Sequence, residues 1–64
     1  MNVQDVWAAR KAEQDRLLMY TRQRRSVYAT MGGKGAERAV ELDILMMNTE
    51  LLIAELTDQL CEMV

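Results

Sequence analysis

The amino-acid sequence predicts an all-α fold, an antiparallel hairpin of two long helices. Its 64 residues contain no proline, and its three glycines all fall within residues 32–35. On both sides of this glycine cluster, apolar residues recur every three or four positions, which is the spacing of an amphipathic helix. Because glycine and proline are the strongest interruptions of a helix, we expect one helix on each side and a single helical-hairpin domain over residues 1–64.

Helix 1 is predicted from residue 3 to about residue 30. Asn2 is a favourable N-cap, with Asp5 three positions later, and the residues that follow are mostly strong helix formers. Gly32 or Gly33 can adopt the left-handed conformation that commonly ends a helix. We therefore expect the chain to leave helix 1 at this point.

Helix 2 is predicted over about residues 36–63, after a glycine turn at residues 32–35. Glu37 lies in its first turn, where a negative charge is favourable against the positive end of the helix dipole. Each helix is then about 28 residues, or roughly 42 Å, long. So short a turn between two long helices requires them to pack antiparallel.

Helix 2 carries two apolar stripes on different sides. The first, the core stripe, has the heptad spacing of a coiled coil and is widened by Leu45 and Leu52. It comprises Ala39, Leu42, Met46, Thr49, Ile53, Leu56, Leu60 and Met63. The second stripe, interrupted by Asp58, comprises Val40, Ile44, Met47, Leu51, Ala54 and Cys61. One neighbouring helix cannot cover both stripes.

Helix 1 presents one broad apolar arc with charged residues inside it. The arc comprises Val3, Val6, Trp7, Leu17, Leu18, Tyr20, Val27, Tyr28 and Met31. Arg10 and Glu13 lie three positions apart and are expected either to pair or to line the edge of the core with their long stems. Arg24 is expected either to reach an acidic residue of helix 2 or of a neighbouring chain, or to line the edge of the core in the same way.

The two halves of the chain carry opposite charge. Residues 1–31 have a formal charge of +3, residues 36–64 have −6, and Lys34 brings the total to −2. Opposite charges on the two helices favour their packing side by side.

The small size of the chain indicates that it associates with another polypeptide. A chain of 64 residues buries only about 60% of its unfolded surface, so its stability is marginal. Cys61 is the only cysteine and there is no histidine, so an internal disulfide and a metal site are not expected. We expect a homodimer of hairpins that forms a four-helix bundle. Docking of the second stripe on a different protein is the alternative.

These features predict a non-enzymatic protein-binding module, an inhibitor, adaptor or co-chaperone that covers a surface of a target protein. No carboxylate or lysine accompanies a nucleophile in a recognisable catalytic arrangement, and no cofactor or small-molecule ligand is expected. The second stripe is the predicted dimer or partner interface. A further candidate target-contact surface on helix 1 comprises Trp7, Tyr20, Arg22, Arg24 and Arg25.

Nucleic-acid binding is the competing prediction. An arginine cluster, comprising Arg22, Arg24 and Arg25, lies between Tyr20 and Tyr28. Arginines can bind phosphates while a tyrosine stacks on a base. A sequence pI near 4.9 weighs against this alternative, because nucleic-acid-binding domains are usually strongly basic.

The glycine turn offers a second route to the same alternative. Residues 33–42 resemble the glycine hairpin of helix-hairpin-helix DNA-binding motifs, with Gly33, Gly35, Ala39 and Leu42 at matching positions. The resemblance implies contact between this turn and DNA. The sequence departs from the motif at Lys34, where the family carries an apolar residue.

Location is predicted from what the sequence lacks. No apolar run approaches the roughly 18 residues needed to cross a bilayer, so no membrane association is expected. The first residues do not resemble a secretory signal, and a single cysteine is typical of a reducing compartment. We therefore expect a cytoplasmic protein.

Overall fold

The protein is a hairpin of two long helices. The structure is a computed structural model that describes residues 2–63, apart from the side-chain environment of residues 31 and 32. Helix α1 (Val3–Met31) and helix α2 (Ala36–Met63) are joined by a 3-10 turn, Gly32–Gly35. The helices pack antiparallel along their length in a molecule of 46 × 14 × 13 Å. The predicted all-α hairpin is confirmed.

The start of α1 is held by reciprocal capping. The backbone N–H of Asp5 donates to Oδ1 of Asn2 at 2.8 Å, and the backbone N–H of Asn2 donates to Oδ2 of Asp5 at 3.4 Å. These bonds satisfy amide groups that have no partner inside the first turn of a helix. The predicted N-cap is confirmed.

The turn between the helices lies at the predicted residues 32–35, but the left-handed stop is not found at Gly33. Gly33 does not have the positive φ of a left-handed helix stop, and the space around its Cα is open. The chain instead tightens from α1 into a four-residue 3-10 helix and enters α2 at Ala36. A 3-10 segment is a common way to end a helix because its tighter bonds still satisfy the last carbonyl groups.

The core is small and is built mainly by α2. At the open end of the hairpin, Val6 of α1 packs against Leu56 and Leu60, with Ala9 beside them. Nearer the turn, Ala39 and Leu42 are also fully buried. These residues are what hold the two helices together.

A buried threonine lies in the middle of the core stripe. Thr49 is 6% exposed, and its hydroxyl donates to the backbone carbonyl of Leu45 at 2.7 Å. A buried hydroxyl is tolerated when it is hydrogen-bonded in this way. The only polar residue of the core stripe is therefore accommodated within its own helix.

Two residues predicted to face α1 are exposed instead. Met63 lies in the last turn of α2, where α1 has only just begun and offers little cover. Leu52 lies at the flank of the core stripe and remains 44% exposed. The remaining core-stripe positions are buried or partly buried.

The apolar arc of α1 is only partly covered. Val6 is buried and Leu17, Tyr20 and Val27 are partly buried, whereas Val3, Trp7, Leu18 and Tyr28 are exposed. The broad arc is wider than the single helix packed against it. Met31, also predicted in this arc, has a side chain outside the described part of the structure.

Arg10 and Glu13 do not pair with each other. Arg10 Nε donates across the hairpin to Thr57 Oγ1 at 2.9 Å, and Glu13 binds Arg16 at 3.1 Å. Arg10 also lies over the Trp7 ring, 5.5 Å from its centroid. The prediction of an Arg10–Glu13 pair is wrong because each side chain finds a partner at a different position.

The hairpin leaves much of its surface uncovered. Its accessible surface is 4864 Å², compared with roughly 4,200 Å² expected for a compact monomer of 7.4 kDa. An elongated two-helix molecule has one line of contact, so each helix exposes its outer side.

Replacing Leu42 with alanine tests the core. Leu42 is fully buried, so Leu42→Ala should lower the free energy of unfolding by about 2–5 kcal/mol. Urea denaturation followed by circular dichroism, at a concentration where the midpoint does not depend on concentration, measures this loss. The matched control is Leu51→Ala, at a site 59% exposed, which should change stability by less than about 0.5 kcal/mol. Equal losses would show that the hairpin packs through a different face of α2.

Candidate protein-binding surface

The second stripe is an exposed apolar surface on α2. Val40, Ile44, Met47 and Leu51 are 57%, 54%, 61% and 59% exposed. Ala54 and Cys61 are exposed as well. All six predicted residues of the second stripe are therefore accessible in the isolated hairpin. Exposed apolar residues scattered singly are ordinary, but a continuous row of large ones indicates a binding surface.

Helical geometry explains why α1 cannot cover this surface. Successive residues of a helix are rotated by about 100°, which places the second stripe about 150° around α2 from the core stripe. Its first four residues are separated by four, three and four positions, the spacing that packs against another helix. The second stripe thus faces away from α1 and suits a further helix.

Acidic residues border the second stripe on both sides. Glu41 and Glu55 lie along one side, and Asp43 and Glu50 lie along the other. We call these four residues the acidic rims. From Ala39 to the end of the chain, the sequence contains no lysine or arginine. The second stripe is therefore an apolar strip between two negatively charged borders.

Two ion pairs neutralise the rims near the turn. Arg38 Nη1 lies 3.0 Å from Glu41 Oε2, and Arg24 Nε lies 2.7 Å from Asp43 Oδ1. Among residues 2–63, Glu50 and Glu55 take part in no ion pair. The uncompensated negative charge is thus concentrated beside the C-terminal part of the second stripe.

Arg24 connects the two helices, which was one of the alternatives open for it from the sequence. Its ion pair with Asp43 is the one salt bridge between α1 and α2 among the described residues. The Nε–H group is buried and its direction misses a hydrogen bond to the carboxylate, so the contact is electrostatic. The guanidinium also lies 5.2 Å from the centroid of the Tyr28 ring. Arg24 is therefore held within the hairpin.

The structure separates the residues of the candidate target-contact surface on α1. Arg22 and Arg25 are exposed, Arg24 turns toward Asp43, and Tyr20 is partly buried. Trp7 lies roughly 20 Å away along the helix. These five side chains do not form one continuous patch, so the second stripe is the larger apolar surface of the two.

A shallow groove that the sequence did not indicate lies between the open ends of the helices. Trp7, Arg10, Thr57, Leu60 and Cys61 line this space of about 430 Å³. Two of these residues, Arg10 and Thr57, are hydrogen-bonded to each other although they lie 47 positions apart in the sequence. No local sequence pattern could have brought these residues together.

A double-mutant cycle tests the ion pair between Arg24 and Asp43. Arg24→Ala and Asp43→Ala, alone and together, should give a coupling energy of about 0.2–1 kcal/mol, because both side chains are partly exposed. The unfolding free energy from urea titration supplies the four values. The control pair is Lys11 and Asp15, separated by 3.6 Å and well exposed, which should couple more weakly. A coupling near zero for Arg24 and Asp43 would mean that the contact does not stabilise the hairpin.

Two further properties concern residues 2–63 as a whole. Neither helix contains an apolar stretch long enough to cross a lipid bilayer. Within the same residues, no cluster of three or more cysteine, aspartate or glutamate side chains is arranged to hold a metal ion.

Comparisons with known proteins do not indicate a function. The chain has no significant match among models of protein families, curated proteins or solved structures. What the hairpin does is therefore inferred from its own residues.

Proposed function

We propose that this chain is a non-enzymatic protein-binding module whose second stripe binds an amphipathic helix. The observation that carries the proposal is the row of four large apolar side chains, each more than half exposed, in heptad spacing on the outer side of α2. Helices are recognised by surfaces of this kind, because apolar residues repeat along one side of each partner.

We also propose that the free chain covers its second stripe by pairing with a second copy. In this dimer the two α2 helices pack against each other, and each keeps its own α1 on the opposite side, giving an assembly of four helices. A two-fold dimer is the commonest way for a chain to cover an apolar surface with itself. The exposed area of the isolated hairpin supports this arrangement.

The proposed role is that of an inhibitor, adaptor or co-chaperone that covers a surface of its target. The target helix and the second copy would occupy the same stripe, so target binding would replace the dimer. Such exchange requires only that the target helix bind more tightly than the second copy.

Nucleic-acid binding through the arginine cluster has less support from the geometry. Arg24 is engaged with Asp43, which leaves Arg22 and Arg25 as the exposed members of the cluster. The neighbouring α2 carries the acidic rims, and negative charge repels phosphate. We therefore favour a protein partner.

Polar substitutions in the second stripe test self-association. The double variant Ile44→Asn/Leu51→Asn should raise the dimer dissociation constant at least about 100-fold, since burial of each side chain contributes about 1.5–3 kcal/mol. Sedimentation equilibrium over a range of concentrations measures this constant. Circular dichroism should show unchanged helix content, because both residues are exposed in the hairpin.

The control is the double variant Leu18→Asn/Met19→Asn on α1, whose residues are exposed to a similar degree, 50% and 47%. It should associate like the unmodified chain. Dimers that persist in the Ile44→Asn/Leu51→Asn variant would place the interface elsewhere. If the unmodified chain is monomeric at every concentration, the proposed dimer is wrong.

A further inference from the structure

The acidic rims decide which helix fits the second stripe best. When two copies of α2 pair through the second stripe, the residues beside one stripe face those beside the other. In an antiparallel pair, each rim lies opposite the same rim of the second copy. In a parallel pair, each rim lies opposite the other rim of the second copy. Both rims are acidic, so either arrangement brings negative charges together and weakens the dimer.

The outer side of α1 does not supply a better partner within a second copy. Positions with the same heptad spacing on that side are Lys11, Asp15, Leu18, Arg22 and Arg25, and all but Leu18 are charged. Charged residues would then lie against the apolar stripe itself instead of along its borders. Of these two faces, one is an apolar stripe with acidic borders and the other is mostly charged, and neither is complementary to the second stripe.

We infer that the preferred occupant of the second stripe is an amphipathic helix of a different protein, with apolar residues in heptad spacing and lysine or arginine on both sides of them. This inference rests on the proposed function of the second stripe and specifies the chemistry of the target. Its apolar residues pack on Val40, Ile44, Met47 and Leu51, while its basic residues face the acidic rims.

The basic residues of the target contribute most beside the C-terminal part of the stripe. Glu41 and Asp43 are already paired with Arg38 and Arg24, so they gain less from an added cation. Glu50 has no ion pair within residues 2–63, and the same is true of Glu55. Among the four residues of the acidic rims, these two therefore contribute most to the preference for a basic partner.

The test compares two synthetic helical peptides that differ only in their flanking charges. Both have about 21 residues, or three heptads, with the same isoleucine and leucine stripe; one carries lysine beside the stripe and the other carries glutamate. Fluorescence anisotropy of labelled peptide, titrated with the full chain, measures each dissociation constant. The lysine peptide should bind at least about tenfold more tightly, and 1 M salt should reduce this difference.

Two controls separate this preference from general attraction between opposite charges. A lysine peptide of scrambled order, which lacks the apolar stripe, should bind weakly or not at all. The Ile44→Asn/Leu51→Asn variant of the chain should lose binding of both unscrambled peptides. Binding of the scrambled peptide as tight as that of the ordered one would overturn the inference.

Charge reversal on the chain identifies the residues responsible. The double variant Glu50→Lys/Glu55→Lys should bind the glutamate peptide more tightly than the lysine peptide, the reverse of the unmodified chain. Asp15→Lys changes an exposed acidic residue on α1 and should leave the preference as it was. A preference unaffected by the Glu50→Lys/Glu55→Lys substitutions contradicts the assignment.

Failure of the inference and failure of the proposed function give different results. Equal binding of the two peptides would overturn the inferred preference for a basic partner. So would dimers of the chain that do not dissociate in excess lysine peptide. Either result would leave the second copy as the occupant of the second stripe. If neither peptide binds and the Ile44→Asn/Leu51→Asn variant associates like the unmodified chain, the second stripe is not a binding surface and the proposed function falls with it.

Discussion

Helix α2 has apolar residues on two nearly opposite sides, but the chain provides only one helix to pack against it. The core stripe packs against α1, where Val6 contacts Leu56 and Leu60. The second stripe remains exposed because one straight helix contacts only one side of its neighbour. The elongated shape, the small core and the large accessible surface all follow from this single constraint.

Charge plays different roles in holding the hairpin together and in defining its surface. The opposite formal charges of the two halves suggest many ion pairs between the helices, yet Arg24 to Asp43 is the one found between α1 and α2 within the described residues. Exposed ion pairs contribute little to stability, so apolar burial accounts for most of the packing. Of the other acidic residues of α2, Glu41, Glu50 and Glu55 lie beside the second stripe, and under the proposed function they would influence what binds there.

The second stripe combines the two properties that govern helix recognition. In the proposed complex its apolar residues would supply the area that drives association, whereas the acidic rims would distinguish one apolar helix from another. Under this proposal, residues such as Leu51 would contribute affinity whatever the partner, whereas Glu50 and Glu55 would favour one of basic character. The same surface could form both a weak dimer and a stronger complex with a target. Both would bury the apolar residues of the second stripe, but only a basic target would be attracted to the acidic rims.

The sequence by itself determined the helices, the glycine turn, the Asn2 cap and the two stripes of α2, because each depends on residues within one or two helical turns of one another. Only the tertiary structure decided that Arg10 binds Thr57 and that Trp7 stays exposed. Such contacts depend on how far α1 is rotated and shifted against α2, which results from the packing of many side chains at once. The spacing of residues within one helix does not determine that rotation, so the groove between the open ends could not be predicted. The second stripe could be predicted because it lies within α2 alone.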